Sequence, residues 1–242
     1  MIRSERRGAV VLVTIDRPER RNALNAEMCE QLTAVVHEAA TSEARALVLT
    51  GTGDHFCAGA DLTGVEDDGF RTALGVLLRG LGQAPLAAIA AVHGAALGAG
   101  TQLAVACDLR VATPDARFGI PAAKLGLMVD HWTVRRLVRF AGEGPARAML
   151  MAAEEVDGDA ALRLGLAQRA GDLDAALAWA AEIAQLAPLT VAGHKLALER
   201  QGDEGAVDLD VDAAVRKAWS SADLVEGMTA FRERRRPEFR GS

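Results

Sequence analysis

Two short hydrophobic runs begin the pattern of this chain. Residues 9–15 and 46–50 are rich in β-branched and aliphatic side chains and contain no turn residues, which is typical of buried strands. Between them, residues 25–40 carry apolar side chains at helical spacing. A strand, a helix and a strand in succession predict that the two strands pair in parallel within an α/β core.

The pattern changes towards the second half of the chain. Residues 86–92 and 109–112 are predicted as further strands, and residues 65–83 as a helix with one apolar face that either packs on the core or lines a ligand site. Beyond about residue 142 strand-like runs stop and helical spacing continues, with the last helix predicted over residues 213–235. We therefore expect one mixed α/β core followed by a helical tail that packs on the core or on a neighbouring subunit.

Composition and charge narrow the functional classes. The 242 residues are 50% hydrophobic and 25% charged, as in ordinary globular proteins, and the net charge of -6 argues against a general affinity for nucleic acid. The longest apolar stretch, residues 85–92, is far too short to span a membrane. Three widely spaced cysteines and the absence of metal-ligand spacing predict a cytoplasmic protein without a metal.

Two glycine-bearing turns are the candidate chemical elements. They follow the second and third predicted strands, at residues 56–62 and 93–103, and neither matches a phosphate loop or a dinucleotide fingerprint. Small residues at Gly98 and Gly100 begin a helix whose first N–H groups are free to hold a polarised carbonyl oxygen. If the two turns face each other, they form an oxyanion hole; the alternative is that the glycines only permit tight turns.

Five blocks of sequence carry a resemblance to a known family. They lie at residues 16–25, 56–62, 93–108, 118–119 and 226–239 and extend over nearly the whole chain. In their order and spacing they resemble the crotonase superfamily, which is also called the enoyl-CoA hydratase/isomerase family. It implies a crotonase-like ββα spiral core over residues 1–188 and a C-terminal helical trimerisation region over residues 189–242. It also implies a homo-trimer or a dimer of trimers, and an acyl-CoA or enoyl-CoA ligand with no further cofactor.

The resemblance also implies which residues contact this ligand. The thioester oxygen would lie between the backbone N–H groups of Ala60 and Ala99. Where Ala99 stands the family usually has glycine, so we expect a strained backbone there. The coenzyme A part would lie along two matched segments, which contribute Arg21, Ala23, Leu24, Ala58, Ala60, Asp61 and Leu62.

Both acidic positions of the family's hydratases are replaced. The resemblance places the first acid at Gln102 and the second at Ala122. Neither an amide nor a methyl group can exchange a proton with substrate, so the ordinary hydratase mechanism should be crippled. Asp130 lies near a position at which some family members use a working aspartate, but it is also placed to cap the helix predicted over residues 132–140.

Three functional hypotheses follow. The first is a protein of fatty-acid metabolism that binds fatty acyl-CoA or enoyl-CoA with little or no hydratase activity and acts as a carrier; similarity to actinobacterial members that lack both glutamates favours it. The second is an acyl-CoA isomerase or hydrolase that uses Asp130, or a weak enoyl-CoA hydratase. The third is a protein-interaction module that no longer binds coenzyme A.

Overall fold

A computed structural model describes residues 1–61, 68–200 and 209–242 of the chain. The strands are β1 (Ile2–Arg7), β2 (Val10–Ile15), β3 (Ala46–Gly51), β4 (Ala87–Val92), β5 (Ala95–Leu97), β6 (Leu109–Ala112), β7 (Arg117–Gly119), β8 (Glu155–Asp157) and β9 (Arg169–Ala170). The helices are α1 (Ala26–Thr41), α2 (Asp68–Gln83), α3 (Ala99–Ala106), α4 (His131–Ala141), α5 (Glu143–Met151), α6 (Gly158–Leu164), α7 (Leu173–Ile183), α8 (Pro188–Glu199), α9 (Leu209–Trp219) and α10 (Ala222–Glu233). The alternation of strands and helices agrees with the predicted α/β class.

The larger sheet has six strands in the order β1-β2-β3-β4-β6-β9. All neighbours pair in parallel except β1, which pairs antiparallel with β2. Strands β3 and β4 are buried along their whole length because helices cover both faces of the sheet. Alternate side chains of these strands point to opposite faces, so they pack into two separate apolar clusters.

Three features of the fold differ from the sequence prediction. Strand β1 was not expected, because its side chains are largely exposed and polar, as suits an edge strand. The expectation that strands stop near residue 142 is wrong, since β8 and β9 follow; both are too short to produce a periodic pattern. A single helix over residues 213–235 is also wrong, because the chain turns at Ser221, whose side chain accepts a hydrogen bond from Leu224 N–H.

A small second sheet positions the start of α3. It has the order β5-β7-β8, with β5 parallel to β7. Gly98, directly after β5, donates its N–H to the carbonyl oxygen of Gly119 at the end of β7 (2.8 Å). The Thr101 hydroxyl donates to the same carbonyl (2.8 Å). Helix α3 is thereby fixed at the end of the small sheet, and every one of its residues is buried.

A buried ion pair joins α8 to this core. Lys195 Nζ contacts Asp108 Oδ2 (2.7 Å) and donates to the carbonyl oxygens of Leu81 and Leu86 (2.8 and 2.9 Å). Burial raises the pKa of Asp108, and the neighbouring Lys195 ammonium opposes that rise. The pair connects α8 to the segment that directly follows α3.

In the described part of the chain, no single helix has the length and apolar character needed to cross a membrane. Helices α7 and α8 meet that test only when taken together, and they are bent by 110° relative to each other.

Candidate functional site

The two glycine-bearing turns lie side by side. Cys57 N–H donates to the carbonyl oxygen of Ala95 (2.9 Å), and Leu97 N–H donates to the carbonyl oxygen of Cys57 (3.0 Å). A side chain on Gly100 would overlap that same Cys57 carbonyl group. Glycine is therefore required at position 100 for the two turns to approach this closely.

Each turn presents an unpaired backbone donor. Ala60 lies in a short parallel bridge with Leu24, in which Leu24 N–H donates to Gly59 and Asp61 N–H donates to Leu24. Ala99 is the first residue of α3, where N–H groups have no partner within the helix. Among the described residues, neither the Ala60 N–H nor the Ala99 N–H has a hydrogen-bond acceptor. Two donors are thus free for a ligand.

The expected strain at Ala99 is wrong. The left-handed backbone conformation falls one residue earlier, at Gly98, where φ is +53°. Ala99 itself is helical, and a helical backbone accepts alanine without strain. Alanine at this position is therefore compatible with the turn and with its free N–H group.

A cavity of about 560 Å³ opens in front of these donors. One wall is formed by the two turns, from Ala58 to Ala60 and from Gly98 to Ala99, together with Gln102 of α3. Facing residues come from α2 and from the segment between β7 and α4, and they are Phe70, Arg71, Leu74, Gly75, Ile120, Pro121, Ala122, Leu125, Leu127, Met128, Val129 and Asp130. Most of these side chains are apolar, so the cavity suits a chain of methylene groups ending in a polar head.

The three residues at or near the positions predicted for the family's acids all line this cavity. Gln102 is 6% exposed, and its Nε2 donates to the Thr133 hydroxyl (2.9 Å). Thr133 in turn donates its N–H to Asp130 Oδ1 and its hydroxyl to Asp130 Oδ2, both at 3.0 Å. Asp130 is thus the N-cap of α4, as one of the two sequence interpretations had it. Ala122, in a 3₁₀ turn over Pro121–Leu125, contributes only its methyl group.

Sequence reasoning missed Thr133. A threonine three residues after an aspartate N-cap is a recognisable pattern at the start of a helix, and it was the available signal. Its connection to Gln102 could not be anticipated, because it depends on how α3 and α4 pack against each other. Gln102, Thr133 and Asp130 therefore form one hydrogen-bonded chain across two helices.

Only some of the residues predicted to contact coenzyme A line the cavity. Ala58 and Ala60 line the cavity, whereas the turn at Arg21, Ala23 and Leu24 adjoins it from outside. Ala58 N–H donates to the carbonyl oxygen of Arg21 (2.9 Å), so the two predicted segments are in contact.

The side chains of these two segments also differ in their exposure to solvent. Leu24 is fully buried and both its backbone groups are paired, so it supports the turn from the core. Asp61 pairs with Arg17 (2.8 Å), and Arg21 is exposed with a left-handed backbone. Leu62 lies outside the described residues.

Asn22 holds this turn in place. Its side-chain amide donates to the carbonyl oxygens of Thr52 (2.8 Å) and His55 (2.6 Å), and its Oδ1 accepts the Arg17 N–H (2.9 Å). Its backbone φ is +59°, a value that asparagine tolerates better than most residues. Asn22 therefore connects the turn to the loop that leads into Cys57.

The cysteines are not candidate nucleophiles. Burial raises the pKa values of Cys29, Cys57 and Cys107 to about 12, so their thiols remain protonated at neutral pH. Within the described ranges, no group of three or more histidine, cysteine, aspartate or glutamate side chains is arranged to hold a metal ion.

Comparison with known proteins identifies the family. The profile described as Enoyl-CoA hydratase/isomerase matches residues 5–242. The chain belongs to the enoyl-CoA hydratase/isomerase family. The probable enoyl-CoA hydratase echA6 of Mycobacterium tuberculosis is 45% identical to it over 241 residues, which cover 97% of each chain. The 2,3-dehydroadipyl-CoA hydratase of Escherichia coli is 35% identical over 252 residues, covering 98% of this chain and 97% of the relative.

Solved structures of the enoyl-CoA hydratase/isomerase family share the fold. A protein described as an enoyl-CoA hydratase/carnithine racemase from Magnetospirillum magneticum superimposes with a TM-score of 0.92 at 28% identity, over 100% of this chain and 96% of the other. The predicted crotonase-like fold is thereby confirmed. The division at residues 188 and 189 and the trimerisation of the C-terminal helices stay predictions.

Proposed function

We propose that this family member binds fatty acyl-CoA or enoyl-CoA, has little or no hydratase activity, and serves as an acyl-CoA carrier in fatty-acid metabolism. One observation carries the proposal. The cavity presents two unpaired backbone N–H groups, at Ala60 and Ala99, while Gln102 and Ala122 occupy the positions implied for the family's acids. In this site the means of binding a thioester are kept and the means of moving its protons are lost.

The binding half of the proposal depends on backbone groups and apolar side chains. A thioester oxygen that accepts from both N–H groups is polarised and held in place without any side chain. The acyl chain would lie against Phe70 and Leu74 of α2 and Ile120 beyond β7, all of which line the cavity. Contact with these side chains favours longer acyl chains, at about 0.8 kcal/mol for each buried methylene group.

The missing chemistry follows from the groups at the two acid positions. Hydration of an enoyl thioester needs one group to take a proton from water and one to deliver a proton to the α-carbon. Loss of each such group costs about 10² to 10⁴ in rate. Gln102 can hold a water molecule but cannot accept its proton, and Ala122 can do neither.

A second candidate function, as an acyl-CoA isomerase or hydrolase, is favoured by the presence of Asp130 in the cavity lining. Both carboxylate oxygens of Asp130 already accept hydrogen bonds from Thr133, which supports the capping role over a catalytic one. Replacement of Asp130 by asparagine separates the two functions. It abolishes turnover if Asp130 moves the proton, and it leaves the affinity for simple acyl-CoAs nearly unchanged if the protein is a carrier.

The proposal extends to the assembly and its location. Apolar side chains of α9 and α10 are largely exposed in the single chain, among them Val215, Trp219 and Val225. These surfaces suit contact with further copies in a homo-trimer or a dimer of trimers. We place the protein in the cytoplasm, where acyl-CoA is available and where the buried thiols of the protein stay reduced.

Calorimetric titration with a graded series of acyl-CoAs tests the binding proposal. We expect binding that tightens from butyryl-CoA to octanoyl-CoA to palmitoyl-CoA, with free coenzyme A binding more weakly than any of them. The longest ligand is used below its critical micelle concentration. Absence of binding by the whole series at high ligand concentration would leave the interaction module as the remaining hypothesis.

A further inference from the structure

The hydrogen-bonded chain Gln102–Thr133–Asp130 fixes which end of the Gln102 amide faces the cavity. Asp130 Oδ1 accepts the Thr133 N–H, and Asp130 Oδ2 accepts the Thr133 hydroxyl proton. An ionised carboxylate can only accept, so the Thr133 hydroxyl must donate to it. The only role left to the Thr133 oxygen towards Gln102 is that of acceptor, which places Nε2 against Thr133. Oε1 then occupies the other end of the amide.

The Oε1 atom is open to the ligand. It accepts no hydrogen bond from the described part of the chain. Among those same residues, every fully buried side-chain oxygen or nitrogen has a hydrogen-bond partner. Because Oε1 has none, it is not fully buried. Gln102 lines the cavity, so Oε1 is reached from there. The site therefore presents a fixed acceptor. Rotation of the Gln102 amide would present its donor to the cavity instead, but it would break the hydrogen bond to Thr133.

The position of Gln102 relates this acceptor to the acyl chain. Gln102 lies three residues after Ala99 on α3, so both residues are on one face of the helix, about 5–6 Å apart. With the thioester oxygen at the Ala99 N–H, an acyl chain that runs along this face of α3 would bring its second and third carbons closest to Gln102. An acceptor at this place attracts a hydroxyl group and disfavours a carbonyl group.

From this geometry we infer that Asp130, acting through Thr133, makes the site selective for acyl-CoAs with a hydrogen-bond donor at the third carbon. The preferred ligand class is the 3-hydroxyacyl thioesters, ahead of saturated acyl thioesters, with 3-oxoacyl thioesters last. Gln102 is the residue that contacts the ligand, and Thr133 and Asp130 are positioning residues. This inference rests on the proposed acyl-CoA binding.

The test uses three ligands of equal chain length: butyryl-CoA, 3-hydroxybutyryl-CoA in both enantiomers, and acetoacetyl-CoA. In the wild-type protein we expect one enantiomer of the hydroxy ligand to bind about five-fold more tightly than butyryl-CoA, as one net hydrogen bond gives. Acetoacetyl-CoA should bind more weakly than butyryl-CoA. Gln102→Leu should bring the three dissociation constants together, because leucine neither donates nor accepts a hydrogen bond.

Asp130→Asn distinguishes positioning from a purely structural role. Asparagine is an equally good N-cap, and its Oδ1 is held by the Thr133 N–H, so its Nδ2 takes the place of Oδ2 and donates to the Thr133 oxygen. The Thr133 hydroxyl then donates to Gln102 Oε1, and the amide turns its Nε2 towards the ligand. The relative affinities of acetoacetyl-CoA and butyryl-CoA then reverse, so that acetoacetyl-CoA binds more tightly than butyryl-CoA. Thr133→Ser, which keeps the hydroxyl, is the matched control and should keep the wild-type order.

The outcomes separate the two proposals. Equal binding of all three ligands by the wild-type protein, or an unchanged order in Asp130→Asn, overturns the selectivity inference while acyl-CoA binding itself stands. If Asp130→Asn does not fold, Thr133→Val replaces it, and retention of the wild-type order in that variant also overturns the inference. Failure of every ligand to bind overturns the proposed function and the inference together.

Discussion

Two parts of the same cavity, the glycine turns and the side chains at positions 102 and 122, differ in whether their chemistry comes from the backbone or from the side chain. The two glycine turns offer backbone N–H groups, which every residue except proline provides, so alanine at position 99 offers the same donor as glycine would. The positions implied for the family's acids depend on particular side chains, and neither glutamine nor alanine there can accept or deliver a proton. Under the proposed function, binding through backbone groups tolerates substitution, whereas acid–base chemistry is sensitive to a single side-chain change.

Restoring the acids is the change with the largest expected effect. In the double variant Gln102→Glu/Ala122→Glu, hydration of crotonyl-CoA should rise by about 10² or more over the wild-type rate, because each acid–base group contributes about 10² to 10⁴. The single variant Ala122→Gln matches the added side chain in size, carries no proton-transfer group, and should show no gain. A double variant that binds crotonyl-CoA but stays as slow as wild type would show that more than these two groups has been lost.

Removal of the buried cation at Lys195 tests how strongly its pairing with Asp108, next to α3, stabilises the fold. Lys195→Met leaves the buried carboxylate of Asp108 without its partner and should lower the free energy of unfolding by about 3–5 kcal/mol at pH 7.5. Chemical denaturation measures this loss, and the double variant Lys195→Met/Asp108→Asn should recover much of it.

The pH dependence of this variant has a definite sign. In the wild-type protein the Lys195 ammonium lowers the pKa of Asp108 and so opposes the effect of burial. In the variant that opposition is removed, so the pKa of Asp108 lies further above its ordinary value. The cost of Lys195→Met is therefore greatest where Asp108 is ionised and shrinks as the pH falls and the carboxyl group takes up a proton. A difference from wild type that grows towards low pH would contradict this account.

A side chain at Gly100 should separate the two turns. Gly100→Ala places a methyl group against the Cys57 carbonyl, which should lower stability by about 1–3 kcal/mol and weaken octanoyl-CoA binding at least about ten-fold. Gly144→Ala is the matched control, since none of the described residues has an atom within 4 Å of the added methyl group and the backbone of Gly144 is helical. Wild-type affinity in folded Gly100→Ala would mean that the close approach of the turns is not needed for binding.

The smallest expected effect concerns the thiol beside the first turn. Because the pKa of Cys57 is about 12 and the side chain is fully buried, the native protein should not react with a thiol reagent at pH 8. Cys29 and Cys107 should be equally unreactive, and all three should react after denaturation. Rapid labelling of Cys57 in the native state, followed by mass spectrometry, would show that the turn opens and is not the fixed element described above.

Sequence reasoning anticipated the elements that leave a periodic or motif signal. The buried strands at residues 9–15 and 86–92 were located to within a residue, and the glycine turns were singled out from their composition. The edge strand β1 carries no hydrophobic signal, and the break at Ser221 depends on a single side-chain hydrogen bond. The conformation of Ala99 and the link from Gln102 to Thr133 arise from tertiary packing, which no local pattern records.

The rate of crotonyl-CoA hydration by the wild-type protein tests the central claim most directly. It should be measured at a substrate concentration that calorimetry shows to be saturating, beside the same buffer without protein. We expect saturation with no hydration above the uncatalysed rate. Turnover comparable to that of an ordinary enoyl-CoA hydratase would contradict the claim, because it would require a proton-transfer group other than Gln102 and Ala122.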